Sequence, residues 1–308
     1  MKEYDYEKRV MGSEASLSIV AADRTIADRA AAALFEIAEN EEERFSRFRE
    51  GSELSRLNRE RSLVVSDVFM EVLLLGREFY RLSGRVFNPL VDISRFGYDA
   101  DITLVKGMKR VGKAITPYSR DMEAVHIDEA TRTVSLSEGQ HLDFGGYVKG
   151  YAAEKMAKAA RDCQGVVVNL GGDVYVHGRD AQGDPFIFAV DDPTDGSAEL
   201  FFGTTDVGIA TSGSYNRHWE YKHAPFFHIL DGSGVQNPIT SILSATVIAP
   251  TGAEADALAT AALVLGVAAG GALLEQYGSP YCFITKDGSR ICSDRFPLVQ
   301  KNELHHHA

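Results

Sequence analysis

Cysteine is scarce in this chain of 308 residues: Cys163, Cys282 and Cys292 are the whole set. The odd count and the lack of a CxxC pair argue against a disulfide framework and against a thiolate metal centre. Cys282 and Cys292 fall where two strands of one hairpin could face each other; buried free thiols are the expected state. Missing too is any run approaching about 18 uninterrupted apolar residues. The N-terminus, Met1-Lys2-Glu3-Tyr4-Asp5-Tyr6, has no apolar stretch of the kind a secretory leader carries. The expectation is a cytoplasmic protein without a membrane span, or one exported after loss of a leader. Positive charge is in short supply, with a formal net charge of −12 and a pI near 5.2. Such a surface repels phosphate backbones, so nucleic acid is not expected as a partner. An anionic ligand would need a local device: a metal ion, a helix N-terminus or a few basic side chains. There is no internal repeat, low-complexity tract or Pro/Ser-rich linker. Neither GxGxxG nor the P-loop pattern occurs, and no spacing supports a Ser/His/Asp triad, so Rossmann and P-loop assignments have no basis.

What is present is ordinary globular composition, 44% hydrophobic and 25% charged. The length suffices for a full core, as one large domain or two merged lobes. Helical and strand patterns are mixed rather than strictly alternating, which predicts an α+β fold. Strands are expected at 16–22, 133–136, 166–170, 174–176, 186–190, 226–230 and 244–248, and a hairpin pairs 281–285 with 290–293 about Asp287-Gly288. Helices are expected at 25–44, 68–82, 147–161 and 253–266. The charges of Glu41-Glu42-Glu43-Arg44 read as a solvated face, and 45–58 reads as a polar, loop-like run carrying Phe45 and Phe48. Residues 305–308 form a tail whose three histidines resemble a tag remnant and are set aside from metal arguments.

Three segments carry candidate chemistry. In 244–266 a strand ends at Pro250, and Thr251 and Glu254 stand at capping-box spacing, which fixes the phase of the helix that follows. Asp256 and Thr260, four apart, then share one face a turn from each other. A carboxylate and a hydroxyl so placed are hard oxygen ligands suited to magnesium, above all beside a diphosphate. Spacing alone leaves a second reading open, in which Asp256 favours the helix dipole and Thr260 packs. In Asp143 to Glu154, Gly145-Gly146 leads into a helix whose free N–H groups could hold an anion. Lys149 there could neutralise a phosphate or be a surface lysine. Asn169 to Asp173 is a tight turn between strands, while Thr211-Ser212-Gly213 offers hydroxyls. His228, at a strand end three residues before Asp231, is a general-base candidate if it faces the other segments and otherwise an ordinary hydrogen-bonded histidine. Either ring of Phe45 and Phe48 could pin the chain to the core or stack on a planar ligand.

In this order, the segments resemble the ApbE family of FAD:protein FMN transferases. The likeness starts at Met11-Gly12 and runs through Ser46-Arg47-Phe48, Ser52 to Asn58, Gly84-Arg85-Val86-Phe87-Asn88-Pro89, Asp143 to Gly150 and Asn169 to Asp173. It continues through Ala210 to Gly213 and His228 to Asp231, and ends at Ala255-Asp256-Ala257-Leu258-Ala259-Thr260. The resemblance implies one ApbE-like domain over 1–304, with mixed, T-fold-like sheets, flanking helices and an FAD cleft between two lobes. It implies that Met11 and Phe48 sandwich the isoalloxazine, and that Val86, Phe87, Asn88 and the turn from Gly145 through Lys149 to Tyr151 line the dinucleotide, with Ile229 near it. Magnesium would be held by Asp256, Thr260 and the backbone carbonyl of Val148. His228 would deprotonate or orient the hydroxyl of a threonine or serine on an acceptor flavoprotein, which receives FMN as AMP departs.

The chain departs from the family pattern at several places. Phe48 replaces a usual tyrosine, Asn88 an aspartate, Val148 a common alanine and Glu154 an aspartate, and Asp231-Gly232-Ser233-Gly234 lacks the Asp-Pro pair. The lipid-modified cysteine of many members is missing as well. Water in place of the acceptor would make the protein an FAD pyrophosphatase, and loss of chemistry would leave a non-catalytic FAD-binding protein. A flavin redox enzyme is disfavoured by the lack of a nicotinamide fingerprint.

Overall fold

The computed structural model describes residues 1–112 and 118–299; the histidine tail lies outside them. Along the chain, β1 (Lys2–Val10) and β2 (Ser13–Ala21) precede helices α1 (Arg24–Phe45) and α2 (Glu53–Glu60). Next come β3 (Ser62–Val64), α3 (Asp67–Leu82), β4 (Lys109–Arg110), β5 (His126–Asp128), β6 (Thr133–Ser135) and α4 (Val148–Ala159). Strands β7 (Gly165–Leu170), β8 (Asp173–Gly178), β9 (Phe186–Asp191), β10 (Ala198–Thr204) and β11 (Val207–Gly213) follow, then β12 (His218–Tyr221) and β13 (Ala224–Phe227). The chain closes with β14 (Ile242–Ala249), α5 (Gly252–Tyr277), β15 (Tyr281–Thr285), β16 (Arg290–Cys292) and β17 (Leu298–Val299). The α+β class expected from the mixed periodicities is what forms.

Two compact units emerge, each assembled from separated stretches. The first holds residues 1–39, 149–213 and 240 to the C-terminus; the second holds 40–148 and 214–239. The first unit is organised by an eight-stranded sheet in the order β1-β2-β7-β8-β11-β14-β15-β16, antiparallel at every pairing. Alternation along β2 buries Ala15, Leu17 and Ile19, and these pack with Ala27, Ala31 and Leu34 of α1 and Ala152, Ala153 and Met156 of α4. Helix α5 packs against β11 and β14. Its alanines at 253, 255, 257, 259, 261 and 262 are all buried, because small side chains let the helix lie close to the sheet.

Among the described residues, α5 is the one helix long and apolar enough to cross a membrane, with a mean hydropathy of 2.1. Burial in the core accounts for that composition, and the helix is broken at Gly266, where φ is 80°. Side-chain space at Gly270 is closed by the Ala262 carbonyl, 2.6 Å from where a Cβ would stand. Residues eight apart in an unbroken helix lie about 12 Å from each other, so the break turns the second half back on the first. The expected stop at 266 therefore coincides with a real discontinuity, after which helix resumes.

The second unit is built on two three-stranded sheets, β13-β12-β4 and β3-β6-β5. One core joins Phe45, Phe69, Phe144, Tyr147, Phe79 and Phe87 through a chain of ring contacts between 5.3 and 6.3 Å. Another surrounds Trp219, whose indole N–H donates to the Phe96 carbonyl at 2.7 Å.

Several expectations are corrected here. The run read as loop-like contains α2, started by Ser52, whose hydroxyl accepts from the Ser55 N–H at 3.0 Å. The cap was present in the sequence, but eight residues give too short a period to read. Glu41 is not solvated: it is 1% exposed and paired with Arg44. The strand placed at 226–230 stops at Phe227. Cys282 and Cys292 are not free thiols but form a disulfide between directly opposed residues of β15 and β16. Cys163 is free.

Candidate functional site

In the first unit the candidate residues gather where α4 and α5 begin. Thr251 caps α5 as its spacing predicts, its hydroxyl accepting from the Glu254 N–H at 3.2 Å, a bond of about 1 kcal/mol. The first N–H of the helix, that of Gly252, is taken by Glu154 Oε2 of α4 at 2.9 Å. Sequence reasoning noted Glu154 only as a departure from the family pattern; the structure makes it the tie between the two helices. The backbones of Gly150 and Gly252 touch, and a Cβ on either would overlap the carbonyl oxygen of the other.

Asp256 stands one turn into α5 and is 5% exposed. Thr260 follows a turn later, its hydroxyl 2.9 Å from that of Ser212 on β11. The phase set by Thr251 thus brings a carboxylate and an alcohol to one helix face, joined by a second alcohol, Ser212, from the Thr211-Ser212-Gly213 run whose hydroxyls were noted in the sequence. Among the described residues no cluster of three His, Cys, Asp or Glu side chains could hold a metal. The available donors are instead one carboxylate with hydroxyls and carbonyls, all hard oxygens. This set fits a magnesium ion that draws its remaining ligands from water or a bound diphosphate.

Lys149 is not a surface lysine. It is 9% exposed, forms an ion pair with Asp173 and lies 3.4 Å from the Leu170 carbonyl. The Asn169 to Asp173 turn therefore anchors Lys149, and its own closure comes from Asn169 Oδ1 accepting the Gly172 N–H at 2.8 Å. Tyr151 is half-buried on α4. Met11 sits in the two-residue turn between β1 and β2 with φ of 53°, a conformation that costs a non-glycine residue about 1 kcal/mol.

The second unit holds the remaining candidates. Phe48 is 42% exposed, with the Arg47 guanidinium 4.2 Å from its ring centre. Arg47 lies equally close to the Tyr98 ring, donates to the Tyr98 carbonyl at 2.6 Å and pairs with Asp143 at 3.4 Å. Asp143 in turn accepts the Gly145 N–H at 2.8 Å, so the double-glycine turn is fastened to the segment carrying Phe48. Val148 opens α4 and is buried. Phe87 is a core ring at right angles to Phe79 and Tyr147. Val86 beside it is half-buried.

Asn88 explains its own departure from the family pattern. Its Nδ2 donates to the Arg120 carbonyl at 2.7 Å while its Oδ1 accepts the Leu90 N–H at 2.8 Å. A carboxylate could make only the second of these bonds. His228 lies just past the end of β13 and is half-buried, and Ile229 after it is buried. Asn237 spans this point, donating to the carbonyls of Phe227 and Ile229 at 2.7 Å each and accepting the Phe227 N–H at 3.0 Å. Asn237 was not selected from sequence, where an asparagine before proline reads as a plain turn.

A half-buried polar pair, Asn58 and His141, adjoins Leu142, and no role was assigned to it from sequence. Asn58 donates to the Leu142 carbonyl and accepts the Leu142 N–H, both at 2.8 Å, which fixes its amide orientation. Its Nδ2 then lies 3.2 Å from His141 Nε2, an arrangement suited to the neutral ring. Burial pushes the His141 pKa down, against the opposing pull of Asp92 and Asp143.

Fold and residues together define the class: a mixed α+β enzyme built on an antiparallel sheet, with a carboxylate–hydroxyl pair on its core helix, not a doubly wound nucleotide-binding domain. The chain belongs to the ApbE family, whose sequence model spans residues 11–283. A relative from Treponema pallidum, an FAD:protein FMN transferase, is 30% identical over 280 residues, covering 82% of this chain and 76% of its own. One from Vibrio cholerae with the same activity is 27% identical, covering 81% and 77%. The ApbE protein of Thermotoga maritima superposes with a TM-score of 0.83 at 21% identity, covering 95% and 97%. The flavinyl transferase ApbE of Pseudomonas stutzeri gives 0.77 at 21%, covering 95% of each chain. These two structures bear on the fold, which matches the mixed sheets and flanking helices expected from the resemblance.

Proposed function

We propose that this protein transfers FMN from FAD to a threonine, or a serine, of an acceptor flavoprotein, with magnesium as the metal and AMP as the other product. Carrying the reading most is the match to FAD:protein FMN transferases over about four-fifths of the chain. Asp256, Thr260 and the Val148 carbonyl would hold the magnesium ion. When bound, the ion supplies Lewis-acid stabilisation of the charge that grows on the departing AMP.

The other roles belong to the chain itself. Met11 and Phe48 would hold the flavin ring, while Val86, Phe87, Asn88, Gly145, Lys149, Tyr151 and Ile229 would line the dinucleotide. His228, held at its place by the Asn237 clamp on either side, would take or orient the proton of the acceptor hydroxyl. The hydroxyl oxygen bonds to the phosphorus of the FMN half as that atom's bond to the bridging oxygen breaks, and AMP leaves with the bridging oxygen.

Incubation with FAD, magnesium and a candidate carrier should add the mass of an FMN group to a threonine of the carrier and release AMP. Free FMN and AMP formed equally well without any carrier would make the protein a pyrophosphatase. Tightly bound FAD that survives added magnesium and every carrier would make it a binding protein and defeat the transferase reading.

A further inference from the structure

Strand β11 and helix α5 run side by side in the first unit, and they meet at two levels. At Gly208 a Cβ would stand 2.5 Å from the Thr251 carbonyl oxygen and 2.6 Å from the Gly252 Cα. Four residues further along the strand, the Ser212 hydroxyl lies 2.9 Å from that of Thr260. Four strand residues rise about 13 Å, and the eight helical residues from Gly252 to Thr260 about 12 Å, so strand and helix stay level between the two contacts. Gly252, Asp256 and Thr260, spaced by four, form the stripe of α5 that faces Gly208, Ala210 and Ser212. Ala210 falls at the level of Asp256, and both are buried.

Ser212 is buried and Thr260 half-buried. The Thr260 hydroxyl carries one proton and two lone pairs. A hydroxyl that offers a lone pair to a cation turns its proton away from that cation. An acceptor placed to receive the proton then fixes the rotation of the group, as outer partners of metal ligands commonly do. Ser212 Oγ stands at the distance this requires, on the strand that faces the stripe.

We infer that Ser212 is a positioning residue of the metal site: its Oγ accepts the Thr260 proton and keeps a Thr260 lone pair available to a divalent cation beside Asp256. The inference rests on the proposed magnesium site. Ser212 acts through Thr260 and is not itself counted among the ligands.

Mn2+ alone serves as the probe, with unbound metal counted by electron paramagnetic resonance, so affinity is read without FAD, acceptor or turnover. Ser212→Ala should weaken Mn2+ binding about 10-fold, the lower end of what losing an outer partner costs. Thr211→Val is the control. It removes a hydroxyl contact of the same length, 2.9 Å to Thr246, from the opposite face of β11, and should leave affinity within about twofold. In a Thr260→Ala background, Ser212→Ala should add less than about twofold, because the residue it acts through is gone. Unchanged affinity in Ser212→Ala, where Asp256→Ala loses binding, overturns the role of Ser212 and leaves the magnesium site standing. A full further loss in the Thr260→Ala background, or an equal loss in Thr211→Val, also overturns it. The first would make Ser212 act on the metal independently, the second would make the effect one of strand packing. Affinity unchanged in both Asp256→Ala and Thr260→Ala would defeat the magnesium site, and this inference with it. Should Ser212→Ala fail to fold, Ser212→Cys carries the same comparison, since a thiol is a weak acceptor of nearly the same shape.

Discussion

Replacing Gly150 with alanine opposes two effects of known size. An exposed helix position would gain about 1 kcal/mol from the change, since alanine loses less backbone freedom than glycine. At Gly150 the new methyl would fall far inside van der Waals contact with the Gly252 carbonyl, and that neighbour is backbone, which cannot rotate away. Overpacking of this kind costs about 1–3 kcal/mol, and the depth of the overlap puts this case at the upper end. The net loss should be about 2 kcal/mol, a fall of roughly 3 °C in melting temperature for a chain of this size. Pushing α4 from α5 also disturbs the bond from Glu154 to Gly252 and displaces Asp256. Since a shift of about 1 Å near reacting groups can cost 100-fold, magnesium-dependent FAD cleavage should fall by tens-fold or more. Differential scanning calorimetry and a chromatographic assay for AMP measure the two effects. Gly51→Ala, with nothing within 4 Å of its new methyl, is the control and should change stability by less than about 0.5 kcal/mol. The double change of Gly150 and Gly252 should be less than additive, because either opens the same space. A Gly150→Ala protein as stable and as active as wild type would refute the backbone-to-backbone contact and the role given to it.

Other outcomes follow from the same geometry. Asp256→Ala should cut turnover on the order of 10^2–10^3-fold while FAD binding persists, because the proposed magnesium ion would act mostly on charge that develops in the transition state; equal turnover in both proteins would remove Asp256 from the proposed metal site. Thiol titration of unfolded, unreduced protein should find one free cysteine, Cys163, and not three. Reduction should then lower stability by about 2–3 kcal/mol, the chain-entropy value for a loop of this size. Burial lowers the His141 pKa below its unfolded value of 6.5, so the unfolded chain binds the extra proton first as pH drops. Stability should therefore be full above pH 6.5, decline as pH falls from there to the folded-state pKa, and level off below it. Urea unfolding across that window should show the slope in wild type and lose it in His141→Gln.

The particular elements show why some structure was legible and some was not. The Thr251–Glu254 spacing fixed the phase of α5 because helix periodicity is local: a cap and a rise per residue determine which side chains share a face. Asp256 and Thr260 could thus be paired before any coordinates existed. Helix α3 and the β15–β16 hairpin were readable for the same reason. Helix α2 escaped notice because eight residues with only two apolar positions, Leu54 and Leu57, carry too little periodic pattern. The state of Cys282 and Cys292 escaped too, since pairing depends on register across the hairpin and not on composition.

By itself, then, the sequence determined what depends on near neighbours: the mixed α and β periods, the capped helix with its carboxylate–hydroxyl face, and the ordered short motifs that mark the family. Tertiary structure alone decided which charges are already spent. Lys149 looked available until Asp173 arrived from 24 residues away. A local pattern places a side chain on a face; whether its charge meets a partner depends on segments far along the chain, which only the folded backbone brings within hydrogen-bonding distance.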